Sequence, residues 1–301
     1  MKIKLLFIAL FTLLFCVALQ AQTPEELINK HIVDVSIPDN KDIKTFSMDL
    51  TISTDSGDYL SQIRYDNGKV AFNCFDKDST PLFISRDSNV IFNDALNSKV
   101  CLMKENIMII KAVYEDNQFN ANFNFHQPNE EEKNNMIRID FLKLAKQAMN
   151  NIKSTKDKDL IIIEGKSEKD SSLISVINPK DSFPLKKMTI KSEGFNIIFE
   201  NIKVNSKIDD SLFAFKEIDL RASGIMVDDL TNNQNDNILA NMQMLQNLMI
   251  SAMTRMAFSE PDIQKELEKM INTNESIDWA HLKAVDVIKS AKLRRLYKPF
   301  K

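Results

Sequence analysis

Apolar residues recur at every second position through most of the segment 45–204. In TFSMDLTIST, at 45–54, all the apolar side chains fall on one face of an extended chain. This alternation is typical of strands that bury one face, because successive side chains of a strand point to opposite sides of the sheet. Asn67-Gly68 lies between two such strands and predicts a tight type I′ hairpin turn.

The segments that share this pattern predict an antiparallel sheet with many strands. After 45–54 they are YLSQIRY, KVAFNCF, LFIS, NVIF, KVCLM, QFNANFNF, DLIIIEGK, SLISVIN, LKKMTIKS and GFNIIFENIKV. Apolar residues at helical spacing in 137–152 predict a helix that packs on the sheet. A shorter helix is predicted from Thr23 to about Ile32, where Thr23 and Glu26 have the spacing of a capping box. The expected fold class is therefore α+β.

The pattern becomes helical after about residue 228 and remains so to the end of the chain. Three helices are predicted, in ILANMQMLQNLMISAMTRMAF, SEPDIQKELEKMI and SIDWAHLKAVDVIKSAKLRRLY. The polar segment TNNQNDN before them reads as a solvated linker. We therefore divide the chain into a signal peptide (1–21), a sheet domain (22–222) and a C-terminal helical extension (223–301).

The N-terminal residues have the features of a secretory signal peptide. A short basic start is followed by an apolar run and by small residues near Ala21, after which cleavage is predicted. The alternatives are a transmembrane anchor and a lipoprotein signal that uses Cys16. The chain is therefore expected to be exported, to the periplasm or the cell envelope.

Its formal net charge of −3 argues against nucleic acid as a partner.

The sequence contains no motif that predicts catalysis, a metal site or a cofactor. HExxH, GxSxG and CxxC are absent, and the three histidines lie far apart without ligand spacing. We therefore expect a protein that is not an enzyme. Export would place Cys74 and Cys101 in oxidising surroundings, where a disulfide between them is one prediction and two buried free thiols are the other.

The stretch PLKKMTIKSEGFNIIFENIKVNSKIDDSLFAF resembles the closing part of a known family. That family comprises the periplasmic outer-membrane lipoprotein carriers, including LolA and LolB, whose last strands lead to a similar asparagine-bearing turn and a phenylalanine that plugs the barrel end. SGDYLSQIRYDNGKVAF is similar to the early strands of the family. The resemblance extends over about 23–219.

This resemblance implies a strongly curved antiparallel sheet, an unclosed half-barrel, with helices on its concave side and room for acyl chains. A lipid or lipidated ligand would then bind in an apolar concavity, as it would in an outer-membrane lipoprotein carrier or sorting protein. The residues expected to contact the ligand are Met48, Leu50, Ile63, Phe72, Phe123, Ile197, Phe199, Met249 and Met253.

A second hypothesis is an envelope interaction or sensor protein of the same fold, whose concavity is filled by its own C-terminal helices. The first of these helices carries a stripe of methionines, which suit a surface that accepts varied apolar partners. We predict that it covers the open mouth of the half-barrel, either as a movable lid or as fixed core. The basic C-terminus KLRRLYKPFK fits either the end of a helix or contact with an anionic membrane surface or acidic partner.

Overall fold

The computed structural model describes residues 22–38, 40–55, 57–86, 89–104, 108–115, 118–125, 135–146, 150–166, 171–215, 217–230, 238–271 and 277–300. The predicted signal peptide and the predicted linker at 231–237 lie outside the described residues. The division of the chain into a sheet domain and a helical extension stays a prediction.

The described residues form mainly strands in the first two thirds of the chain and mainly helices after that. The strands are β1 (Val35–Pro38), β2 (Thr45–Thr54), β3 (Gly57–Asp66), β4 (Lys69–Phe75), β5 (Pro81–Arg86), β6 (Asn89–Asp94), β7 (Lys99–Lys104), β8 (Met108–Glu115), β9 (Gln118–Phe125), β10 (Asn135–Ile139), β11 (Asn150–Asp157), β12 (Leu160–Lys166), β13 (Ser172–Ile177), β14 (Leu185–Ser192), β15 (Phe195–Val204) and β16 (Val227–Asp229). The helices are α1 (Pro24–His31), α2 (Phe141–Lys146), α3 (Glu217–Ala222), α4 (Ile238–Ala257), α5 (Pro261–Ile271) and α6 (Trp279–Leu296).

The strands form two sheets rather than the one that the sequence predicted. The large sheet has twelve strands in the order β11-β12-β13-β14-β15-β2-β3-β4-β5-β6-β7-β16, and the small sheet has four in the order β1-β10-β8-β9. Neighbouring strands are antiparallel except for the pairs β10–β8 and β16–β7. The end strands of the large sheet, β11 and β16, have one strand neighbour each among the described residues. The fold is therefore α+β with an unclosed sheet.

The local signals at the hairpin and the first helix are confirmed. Asn67 and Gly68 have φ values of 44° and 95°, as a type I′ turn requires, and they join β3 to β4. At the start of α1, Thr23 and Glu26 form the capping box, in which each side chain accepts a hydrogen bond from the backbone N–H of the other residue. Short-range chemistry alone determines both features.

The prediction of one helix over 137–152 is wrong. This segment instead contains the end of β10, the short helix α2 and the start of β11. Ile137 is buried where β10 pairs with β1 on one side and with β8 on the other. These pairings join segments that are distant in sequence, and they outweigh the helical spacing of the apolar residues.

The two faces of the large sheet bury separate apolar cores. One face, here called the α1 face, carries Met48 and Phe72 and shares a single core with α1, α2 and the strands β1 and β10. The opposite face, here called the α6 face, carries Phe75 and Ile84 and packs against α3 and α6 through Leu220, Leu293 and Tyr297. Helices therefore lie on both faces, and α6 lies on the face opposite to the predicted ligand-binding residues of the large sheet.

Candidate functional site

Six of the predicted ligand-binding residues come together on the α1 face, but as closed core. Each is at most 5% exposed, and all belong to the cluster shared with α1 and α2. The ring of Phe199 packs edge-on against that of Phe141 from α2, with centroids 5.5 Å apart. The six are Met48, Leu50, Ile63, Phe72, Ile197 and Phe199. Because α1 and α2 cover these side chains, ligand contact at the six residues would require this part of the core to open, and it stays a prediction.

The other three predicted residues lie elsewhere. Phe123 is in β9, and its side chain is outside the described residues. Met249 and Met253 are on α4, where Met249 is 60% exposed and Met253 is half-buried. Among the described side chains of α4, Leu248 packs against the core of the α1 face. The described part of the methionine stripe, from residue 246 onwards, therefore does not form a closed layer over Met48 and its neighbours.

The segment that carried the family resemblance has clear structural roles. Asn201 lies at a bulge in β15 with a φ of 54°, and its Nδ2 donates to Oδ2 of Asp49 at 2.8 Å. Asn205 joins the end of β15 to the start of β2, since its Oδ1 accepts from the backbone N–H of Lys44 at 2.8 Å. Phe213 is buried, but on the α6 face, where it packs with Ala71 and with Phe300 near the C-terminus.

Of the two alternatives for Cys74 and Cys101, the structure has the two free thiols. Cys74 of β4 and Cys101 of β7 lie in one row across four neighbouring strands, with Phe83 of β5 and Phe92 of β6 between them. Three strand spacings, about 14 Å in total, separate the cysteines, whereas a disulfide needs Cα atoms within about 7 Å. Burial raises the pKa of Cys74 to about 11 and that of Cys101 to about 12.

A cavity of about 510 Å³ lies among β3, the β4–β5 turn, α4 and α6. Its apolar lining consists of Tyr59, Leu82, Ala252, Met256, Phe258 and Val287. Its charged lining consists of Asp76, Lys77, Asp78, Arg255, Glu260, Lys283, Asp286 and Arg294. The cavity thus combines an apolar wall from the methionine-bearing helix with charges of both signs.

Arg255 connects three of the four elements around the cavity. From α4 its Nε donates to Oδ2 of Asp76 in the β4–β5 turn at 2.6 Å, and its Nη1 donates to Asp286 and Ser290 of α6. Oδ1 of Asp76 accepts in turn from the backbone N–H of Thr80 at 2.8 Å. The turn and the two helices are therefore fixed by one buried, hydrogen-bonded charge cluster.

A buried lysine extends this cluster towards β6 and β7. Nζ of Lys289 donates to the backbone carbonyl of Asp94 at 2.9 Å and lies 3.4 Å from Oδ1 of Asp286. Burial lowers the pKa of Lys289, while the charge of Asp286 opposes this change. Ser251 of α4 bonds to the end of β6 and to the β6–β7 turn. Its hydroxyl donates to the carbonyl of Asn93 and accepts from the N–H of Ala95.

The C-terminal residues are part of the core of the α6 face. Tyr297 and Phe300 are buried, and Gln62 binds both backbone groups of Phe300. The guanidinium groups of Arg64 and Arg86 each lie 5.0 Å from the centre of the Phe300 ring. The aromatic residues of the basic C-terminus are thus committed to the fold, and contact with a membrane surface stays a prediction.

The described part of the chain offers neither a metal site nor a membrane-spanning helix. Its His, Cys, Asp and Glu residues form no group of three or more that could hold a metal ion. None of its helices combines the length and apolar character needed to cross a bilayer.

Comparisons with known proteins give weak likenesses alone. No family model and no curated protein matches the sequence. Among solved structures, the lipoprotein LppX of Mycobacterium tuberculosis aligns at 10% identity and a TM-score of 0.33, covering 62% of this chain and 97% of that one. LprF from Mycobacterium bovis aligns at 8% identity and a TM-score of 0.31, covering 62% of this chain and 94% of that one. No functional conclusion rests on similarity at this level.

Sequence reasoning missed the cavity and most of its lining. The methionine stripe of α4 was the one signal that pointed to it, and Met256 of that stripe does line the cavity. Arg255, Asp76 and Asp286 carried no signal, because they are separated along the chain and each resembles an ordinary surface charge in its own segment.

Proposed function

We propose that this chain is an exported, non-enzymatic protein that binds a hydrophobic or acyl-chain ligand in the cavity between α4 and α6. The observation that carries this proposal is the cavity of about 510 Å³ bordered by a methionine-bearing helix. Its volume lies within the range of small-molecule sites, roughly 300–1,000 Å³. Ala252, Met256 and Val287 supply an apolar wall, and methionine adapts to ligands of different shape.

The ligand site of this proposal differs from the one that the sequence predicted. The space over the residues of the α1 face is filled by α1 and α2. A ligand there would therefore require part of the core to move. The cavity between α4 and α6 needs no such movement. Burial of apolar ligand surface there would contribute about 25 cal/mol per Å².

The cellular role is proposed from sequence features. The basic, apolar and small residues of 1–21 support export to the periplasm or cell envelope. The pattern of 23–219 supports a relationship to the LolA and LolB carriers, and a carrier or sorting protein for outer-membrane lipoproteins is the particular role it favours. The ligand would then be an acyl chain, free or attached to a protein.

A protein partner in the cell envelope is the second candidate function. Several large apolar side chains of the helical region are more than half exposed, namely Met249, Met270, Val287 and Ile288. Exposed apolar groups on neighbouring helices fit a surface that another protein covers. Val287 belongs to both sets, because it also lines the cavity.

The cavity is tested by filling it. Ala252→Phe places a large side chain in the cavity wall, and we expect it to weaken binding of an environment-sensitive apolar dye at least about tenfold, a cost of about 1.4 kcal/mol. Dodecanol should displace the dye from the wild-type protein. Fluorescence titration measures both effects, and circular dichroism shows whether the variant is folded.

Met270→Phe is the matched control, because Met270 is 55% exposed on α5 and does not line the cavity. This variant should bind the dye like the wild-type protein. If Ala252→Phe is folded and binds the dye as tightly as Met270→Phe does, the cavity is not the ligand site.

A further inference from the structure

Two lysines from different parts of the chain meet at the C-terminal end of α4. Lys77 of the β4–β5 turn has its Nζ 3.4 Å from Oγ of Ser259. Lys283 of α6 has its Nζ 3.0 Å from the backbone carbonyl oxygen of Phe258. Phe258 and Ser259 are consecutive, so the two ammonium groups flank one point on the wall of the cavity, which all four residues line.

The acidic residues of the cavity lie mainly against Arg255. Asp76 and Asp78 approach its Nη2 at 2.5 Å and 3.8 Å, and Asp286 accepts from its Nη1. Within the described residues, no carboxylate oxygen lies within 4 Å of either lysine nitrogen. Glu260 is the remaining carboxylate of the lining. The positive charge of the lysine pair is therefore not neutralised by a direct ion pair.

Each ammonium group also keeps hydrogen-bonding capacity. A lysine carries three N–H donors, and the bonds to Ser259 and Phe258 use one from each side chain. The carbonyl groups at the end of α4 attract cations, which accounts for the position of the lysines but leaves their other donors available. An anionic oxygen group placed between them would accept charge-assisted hydrogen bonds from both.

We propose that the ligand of this cavity is an amphiphile with an anionic head group, a carboxylate or a phosphate monoester, bound between Lys77 and Lys283. Its apolar chain lies along Ala252, Met256 and Val287. This inference rests on the proposed function and adds the chemical class of the head group. An anionic head group and an apolar chain can bind together here, because the lysine pair and the apolar wall line the same cavity.

Isothermal titration of the full chain with twelve-carbon amphiphiles tests the proposal. Dodecanoate and dodecyl phosphate supply the two anionic heads, and dodecanol and dodecyltrimethylammonium supply a neutral and a cationic one, all below their micelle concentrations. We expect at least one anionic ligand to bind about tenfold or more tightly than dodecanol. The tighter of the two identifies the head group.

The double variant Lys77→Met, Lys283→Met should remove this preference. Its affinity for the anionic ligand should fall to that of dodecanol, while its affinity for dodecanol stays unchanged, because methionine keeps the apolar part of the side chain. Lys265→Met is the matched control, since Lys265 lies on α5 outside the cavity lining and should leave all the affinities unchanged.

The outcomes separate the two proposals. Equal wild-type affinity for dodecanoate, dodecyl phosphate and dodecanol would overturn the head-group assignment and leave the hydrophobic site in place. A preference that survives in the double variant, or tighter binding of the cationic ligand, would also overturn the assignment. Failure of the wild-type protein to bind any of the four would overturn the proposed function itself.

Discussion

Replacing Arg255 with methionine is expected to lower the free energy of unfolding by about 3–5 kcal/mol. The change leaves Asp76 and Asp286 in place, with side chains that are 7% and 2% exposed. Both carboxylates would then lose their arginine partner while remaining shielded from water, although Lys289 would still lie near Asp286. Urea unfolding followed by circular dichroism measures the loss.

Two further variants show whether buried charge is the cause. Lys265→Met removes the exposed pair between Lys265 and Asp262, at 3.6 Å, and should change stability little. Adding Asp76→Asn to the Arg255→Met variant should recover part of the lost stability, because an amide is less costly to bury than an unpaired carboxylate. If the free energy of unfolding of Arg255→Met stays within about 1 kcal/mol of the wild-type value, well below the loss expected for a broken buried ion pair, the cluster does not hold these elements together.

Replacing Phe300 with alanine is expected to lower the free energy of unfolding by about 3 kcal/mol. Phe300 is the penultimate residue, yet it is 9% exposed and packs with Ala71 and Phe213 on the α6 face. Its ring also lies beside the guanidinium groups of Arg64 and Arg86. Gln62 donates to the backbone carbonyl of Phe300 and accepts from its backbone N–H, so the alanine variant keeps both bonds and isolates the contribution of the ring.

Phe195→Ala is the control for this prediction, because Phe195 is 40% exposed at the start of β15. Its replacement should cost about 1 kcal/mol or less, in proportion to the smaller area that it buries. Equal losses for the two variants would show that the C-terminal residues do not pack on the sheet as the structure has them.

The sequence predicted the individual strands better than their assembly. Alternating apolar residues and the Asn67-Gly68 turn act over a few neighbours, and the corresponding strands and hairpin are present. The helix predicted over 137–152 failed because β10 is fixed by pairing with β1 and β8, about a hundred residues and about thirty residues away in sequence respectively. The division into two sheets depends on the same long-range pairings.

The site was less predictable for a related reason. Alternation showed which residues share a face, and the six core residues of the α1 face were grouped correctly, but it could not show which helices cover that face. Nothing local distinguishes Arg255 from an exposed arginine, since its partners Asp76 and Asp286 come from the β4–β5 turn and α6. The sequence left a disulfide and free thiols as alternatives, because it does not provide the strand order that separates Cys74 from Cys101.

Photo-crosslinking tests the central claim most directly. A twelve-carbon fatty acid with a diazirine near its methyl end is bound to the wild-type protein, and the complex is irradiated. Mass spectrometry then maps the adducts. We predict adducts at residues 252–258, at the C-terminal end of α4, and at residues 283–290 of α6. Excess unlabelled dodecanoate should suppress both. Adducts concentrated instead at Met48, Leu50 or Phe199, or labelling that dodecanoate does not suppress, would contradict a ligand site between α4 and α6.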